Sequence, residues 1–157
     1  MVSIAFSETN YTFAESNATV EVCVGLTGLL ERNIEITMSA TPLSASTDDD
    51  YIFNDSVLTF TASVSRRCVD ILIVNDDIVE KSEEIILTLS SNDTSVSIIS
   101  PDTVITIEDS SFIRLRFDIE EQEIQENETV TLCVILEGIS NRSIMVSVVV
   151  NDTGIDY

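Results

Sequence analysis

Residues 19–26 run Thr19-Val20-Glu21-Val22-Cys23-Val24-Gly25-Leu26. Val20, Val22, Val24 and Leu26 alternate with Thr19, Glu21, Cys23 and Gly25. Successive side chains of an extended backbone point to opposite faces, so this segment is a strand with one apolar face. The same period of two recurs at Ile34/Ile36/Met38, at Val57/Thr59 with Leu58/Phe60, and at Val69/Ile71/Ile73. It continues at Ile85/Leu87/Leu89 and at Val104/Thr106 with Ile105/Ile107. No comparable stretch repeats its apolar residues at helical spacing. Strand-sized runs about ten residues apart, divided by Ser, Asn, Asp and Thr, predict an all-β chain. The expected fold is a seven-stranded antiparallel β-sandwich, immunoglobulin-like, between Val2 and Asp109.

The 157 residues carry 28 Asp plus Glu against 7 Lys plus Arg, a net charge of −21. Phosphate backbones repel such a surface, which excludes a nucleic-acid partner. Disorder is excluded too, because 44% of the residues are hydrophobic. There is no His, no Trp and only three Cys. This removes His-based acid/base catalysis and any four-ligand Cys/His zinc site. Four glycines leave no phosphate-cradling loop, and no run of about 18 apolar residues is present to cross a membrane.

Val2, Ile4 and Phe6 recur as Ile113, Leu115 and Phe117. Asn17 to Gly28 (NATVEVCVGLTG) returns as Asn127 to Gly138 (NETVTLCVILEG), and Asp50-Tyr51 as Asp156-Tyr157. Self-similarity at this period marks a tandem repeat. Residues 1–110 are expected to form one complete module, and residues 111–157 the N-terminal part of a truncated second copy.

Several motifs together resemble the Calx-beta domain family. They are Phe13-Ala14-Glu15, Cys23-Val24, Gly28, Asp50-Tyr51, Leu58-Thr59-Phe60 and Val69-Asp70-Ile71. Further along come Asn75-Asp76-Asp77-Ile78-Val79-Glu80, Glu83-Glu84, Leu87-Thr88-Leu89 and Val104-Ile105-Thr106-Ile107-Glu108-Asp109. The resemblance implies a seven-stranded calcium-binding sandwich of the kind found in sodium/calcium exchangers and in large adhesion and matrix proteins. Two departures from the family's densest acidic pattern stand out. Asn75 occupies the first of three acidic positions, and Ser110 and Ser111 follow Asp109 where aspartates would stand. Fewer charged ligands imply one ion, or weak affinity.

Counting strand directions gives a second route to the same site. Consecutive strands of such a sandwich mostly run in opposite directions, so every second loop falls at one end. That end receives Glu15, Asp48 to Asp50, Asp76, Asp77, Glu80 and Asp109, and the other receives Arg32, Arg66 and Arg67. Converging carboxylates repel unless neutralised. Ca²⁺ takes six to eight oxygen ligands. The candidate ligands are therefore Glu15, Asp50, Asp76, Asp77, Glu80 and Asp109, with Glu83 as an outer ligand and the Ile78 carbonyl as a backbone one. Asp77→Asn is expected to weaken the site sharply.

Cys23 and Cys68 both lie out of phase with the core residues of their strands. In the sandwich that the resemblance implies, those two strands pair, which allows a Cys23 to Cys68 disulfide. Cys133 repeats the phase of Cys23. The opposing possibility is three reduced thiols in a cytosolic chain.

Asn-X-Ser/Thr occurs at Asn10, Asn17, Asn54, Asn92, Asn127, Asn141 and Asn151, seven of nine asparagines. With 36 Ser plus Thr among 157 residues, chance gives about two such sites, so the excess suggests N-glycosylation. Oxidised cysteines and glycans together predict an extracellular location, or the extracellular side of the plasma membrane. No charged n-region and apolar h-region precede the first strand, so the chain is expected to be a piece of a longer protein.

The expected function is that of a calcium-binding repeat in an adhesion or matrix protein. Its partners would be calcium, neighbouring repeats, and extracellular matrix or cell-surface proteins. The ion would stiffen the joint between modules, where only Ser110 and Ser111 separate Asp109 from Phe112. The alternative is a metal-free structural spacer in a glycosylated extracellular protein. A glycosidase using Asp76 with Glu80, or Asp50 with Asp109, would need a substrate cleft that these short loops do not build, and no enzyme is expected.

Overall fold

The computed structural model describes residues 2–125 and 127–151. The second Asp-Tyr pair, Asp156-Tyr157, lies outside them. From the N-terminus the strands are β1 (Val2–Phe6), β2 (Asn10–Ala14), β3 (Ala18–Thr27), β4 (Ile34–Pro42), β5 (Tyr51–Ile52) and β6 (Ser56–Phe60). Next come β7 (Arg66–Ile73), β8 (Ile78–Val79), β9 (Glu83–Ser90), β10 (Val96–Ser100) and β11 (Asp102–Glu108). After the joint follow β12 (Arg114–Phe117), β13 (Val134–Glu137) and β14 (Ile139–Ser140).

Two five-stranded sheets, ordered β10-β1-β3-β7-β5 and β2-β11-β9-β4-β6, face one another. The alternating residues meet between them. Ile4, Val22, Val24, Ile71 and Ile73 of one sheet bury against Ile34, Ile36, Met38, Phe60, Ile85, Leu87, Ile105 and Ile107 of the other. Full burial of each such side chain is worth about 1.5–3 kcal/mol against exposure. Every member of this core lies between Ile4 and Ile107, so the first unit closes its own interior.

The all-β sandwich is as expected, but the strand count and the purely antiparallel pairing are not. Eleven strands precede Asp109, and the seven expected from the sequence are β1, β3, β4, β6, β7, β9 and β11. The chain's first extended run breaks after Phe6 and changes sheet, which makes β2 a separate strand. β1 then pairs in parallel with β10, and β2 in parallel with β11. β5 and β8 are two residues each, and β10 is only half-buried. Strands that short or that exposed carry no readable period of two.

β3 and β7 pair antiparallel from Ala18↔Ile73 to Gly25↔Arg66, with Cys23 opposite Cys68. The two cysteines form the expected disulfide, with Cα atoms 4.0 Å apart. Cys23 points away from the core cluster yet is buried, because Cys68 and the Arg66 guanidinium, 2.8 Å from its sulfur, cover it. Cys133 is free and exposed.

Beyond the joint, β12 and β13 pair as Arg114↔Glu137, Leu115↔Leu136, Arg116↔Ile135 and Phe117↔Val134. β1 and β3 pair as Ser3↔Thr27, Ile4↔Leu26, Ala5↔Gly25 and Phe6↔Val24. The two registers coincide at the offsets of the sequence match. β14 leaves this hairpin and adds in parallel to β8, Ile139 opposite Ile78 and Ser140 opposite Val79.

Candidate metal centre

The strands deliver their acidic loops to one end of the sandwich, and short hydrogen bonds tie those loops together. Glu15 follows β2, and its amide donates to the Glu108 carbonyl, 2.9 Å. Asp50 closes the 46–50 turn, where its carboxylate accepts from the Ser46 amide. Its carbonyl accepts from the Val74 amide at 2.9 Å, which pins that turn to the end of β7. Asp109 follows β11 and accepts from the Glu80 amide at 2.8 Å. Asp76 accepts from the Ile78 amide, also at 2.8 Å. Asn17, Asp48 and Asp77 take left-handed backbone conformations, which short polar side chains tolerate better than branched ones.

Carboxylate oxygens of Glu15, Asp50 and Glu80 lie within 4.8 Å of one another. Glu15 and Asp50 are buried, at 5% and 3% exposure. Among the described residues the ion pairs are Arg32 with Asp93 and Arg116 with Glu137, so none reaches this cluster. Burial, with the charges of Asp76, Asp109, Asp50 and Glu80, pushes the Glu15 carboxyl up to about 7. Burial and a hydrogen bond with Asp50 push Glu83 up to about 8. Burial raises Glu80 as well, helped by Asp76, Asp50 and Asp109. One buried oxygen of Glu15 and one of Glu83 have no hydrogen-bond partner. Unpaired acceptors, buried and mutually repelling, are what a hard divalent cation satisfies. The donor set fits Ca²⁺.

Of the expected ligands, Glu15, Asp50 and Glu80 lie together, Asp109 is tied to them through the Glu80 amide, and the charges of Asp76 and Asp109 act on Glu15 as that of Asp50 acts on Glu83. Asp77 stands apart. It is exposed at the tip of its turn, and its charge is not among those raising Glu15, Glu80 or Glu83. Asn75, Ser110 and Ser111, read from the sequence as missing charges, have structural roles instead. The Ser110 hydroxyl donates to the Glu15 carbonyl at 2.7 Å, and the Asn75 side chain donates to Ser110. The Ser111 amide donates to Asp109.

The alternation of strands did not reveal three further contacts at this end. Asn141 donates through Nδ2 to the Glu80 carboxylate, and Arg142 donates to the Glu80 carbonyl at 3.3 Å. The Ser140 hydroxyl donates to the Val79 carbonyl at 3.0 Å. The only signal in the sequence is the direction count, which, carried into the second copy, sets its loop 138–143 at the end facing this one.

Raised carboxyl pKa values have a definite consequence for stability without metal. An unfolded Glu releases its proton near 4.5, whereas folded Glu15 and Glu83 hold theirs to about 7 and about 8. Their contribution to stability is complete below the unfolded value and is lost as pH rises through the folded ones. In chelator, the melting temperature is therefore expected to fall from pH 5.5 to pH 8.5. Calcium should flatten that fall, since the ion replaces the protons. A melting temperature that rises over this interval in chelator would contradict the placement of these two groups.

An all-β sandwich with an acid-lined end formed by four separated loops defines a narrow class of module. The Calx-beta domain model matches residues 1–111, and the chain belongs to the Calx-beta family. No curated protein sequence matches it. Among solved structures, the chain is similar to the apo form of the Calx CBD1 domain, with TM-score 0.66 and 21% identity over 70% of this chain and 98% of that one. The calcium binding domain CBD12 of CALX1.1 is similar at TM-score 0.64 and 21% identity, over 68% of this chain and 44% of that one. The Calx CBD2 domain follows at TM-score 0.58 and 13% identity, over 69% and 86%. At these identities the likeness speaks for the fold.

Proposed function

We propose that this chain is a calcium-binding β-sandwich repeat of a larger extracellular or cell-surface protein of the adhesion or matrix kind. Residues 1–110 make one module and residues 111–157 begin the next. Calcium held by Glu15, Asp50, Asp76, Glu80 and Asp109, with Glu83 outside them and Asp77 at the margin, stabilises the module and stiffens the joint. One observation carries this reading: Glu80 belongs to the acidic cluster and is also where Asn141 and Arg142 land. An ion that fixes Glu80 therefore fixes the platform on which the second unit rests. The coinciding registers of β1 with β3 and β12 with β13 support the second copy. The seven sequon asparagines are all exposed, and all but Asn141, whose Nδ2 is engaged with Glu80, are open to glycosylation; the Cys23 to Cys68 bridge suits an oxidising compartment. That CBD12 of CALX1.1 is a calcium binding domain supports the choice of ion.

A metal-free spacer has one observation in its favour, since Asn141 and Arg142 donate hydrogen bonds directly to Glu80 and so join the two units through protein groups. Small-angle scattering of the full chain separates the two readings. The distribution of inter-module angles is expected to narrow in calcium relative to chelator. Identical profiles from protein that demonstrably binds calcium would reduce the ion to a role inside the first module.

A further inference from the structure

The loop that follows β3 has no counterpart to dock on within the described residues, although its equivalent after β13 is docked. Gly28 and Gly138 both have φ of 116°, a conformation open to glycine and strained for other residues. At Gly138 a Cβ would also lie 2.8 Å from the Ile113 side chain. The strands feeding the two glycines pair in the same register with β1 and β12. The chain thus leaves both hairpins with the same geometry. After Gly138 it becomes β14 and pairs with Ile78 and Val79. After Gly28 it runs through Leu29, which is 93% exposed, whereas Ile139 in the paired position is 63% exposed. Arg32 stands at the position of Arg142 and is held at its own loop by Asp93, 2.6 Å away.

We propose that Leu29 to Arg32 is a docking edge for the acid-tipped end of another module of this kind, paired along the backbone that corresponds to Ile78–Glu80. The inference rests on reading residues 111–157 as a second copy. Backbone pairing does not depend on side-chain identity. Leu30 in place of Ser140 therefore forfeits only the hydroxyl bond to the Val79 carbonyl. Glu31 in place of Asn141 changes more, since it sets a carboxylate instead of a donor against Glu80. Two facing carboxylates repel unless a cation or a proton is shared, so this docking is expected to depend on calcium more than the Asn141 joint does. Adding module to module through unlike surfaces generates an open, head-to-tail array.

Cysteine trapping in calcium tests this, with Cys133→Ser as background. In the native chain, Ile78→Cys with Ile139→Cys probes the joint already described. A fusion of residues 1–111 placed directly ahead of the full chain repeats the Ser110-Ser111 junction, and the core of the added unit is closed within its own residues. There, Ile78→Cys in the leading copy with Leu29→Cys in the following copy probes the proposal. Both pairs are expected to be trapped in most molecules. Ile99→Cys, 67% exposed on β10, should give no product in place of Leu29→Cys. Trapping of the native pair without the fused pair overturns the docking edge while leaving the joint intact. Failure of both pairs overturns the reading of the joint, and the docking edge with it.

Discussion

Replacing Cys23 and Cys68 together by Ala is expected to cost the first module roughly 4 kcal/mol, from the entropy of a 45-residue separation released in the unfolded chain. For a unit of this size that corresponds to a fall of about 15–25 °C in melting temperature. The bridge joins directly opposed residues of β3 and β7, strands that form the centre of their sheet. The folded state therefore keeps its ladder when the bridge is gone, and the loss falls on the unfolded state. Mass mapping of protein secreted from eukaryotic cells should show Cys23 linked to Cys68 and Cys133 free. A Cys23 to Cys133 link, or an unchanged melting temperature in the double variant, would contradict this.

The second large effect comes from calcium itself. At about ten times its dissociation constant, an ion that binds only the folded state adds about 1.4 kcal/mol, and at a hundred times about 2.7 kcal/mol. A site that fills in the range of extracellular modules, about 0.1–1 mM, should thus raise the melting temperature by several degrees at about 10 mM calcium. Asp50→Asn is expected to abolish most of that rise, because Asp50 is buried within the cluster. Asp77→Asn should cost much less, because Asp77 sits exposed at its turn. Both variants should also be followed without metal. Asp50→Asn removes a charge that raises Glu15 and Glu83, so it should weaken the pH dependence in chelator.

The strands that build the core were legible in the sequence, because Val22, Ile36, Ile71, Leu87 and Ile105 each lie on a face that must be wholly apolar. β5, β8 and β10 were not, because a two-residue ladder or a half-buried edge shows no readable alternation, and β2, although Tyr11 and Phe13 alternate onto the core, was hidden by being counted with β1 as one extended run. Strand direction sends Glu15, Asp50, Asp76, Glu80 and Asp109 to one end, where the structure brings Glu15, Asp50 and Glu80 within 4.8 Å. Direction counting cannot rank ligands, however. Asp50 and Asp77 look alike as loop aspartates, yet one is buried and pinned by the Ser46 amide while the other is turned out by a left-handed backbone. The roles of Asn75 and Ser110 were hidden for a related reason. A hydroxyl that bridges two loops leaves no periodic trace, and the absence of a carboxylate is visible where the presence of a bridge is not.

Equilibrium dialysis of the full chain against calcium at pH 7.5, beside Asp50→Asn and Glu80→Gln, bears most directly on the proposed metal centre. The native chain is expected to bind calcium saturably below about 10 mM, the upper reach of weak extracellular sites, and both variants to lose most of that binding while keeping their β-sheet circular dichroism. Equal binding by the native chain and the folded variants, or no saturable binding by the native chain, would contradict a calcium site built on Glu15, Asp50 and Glu80.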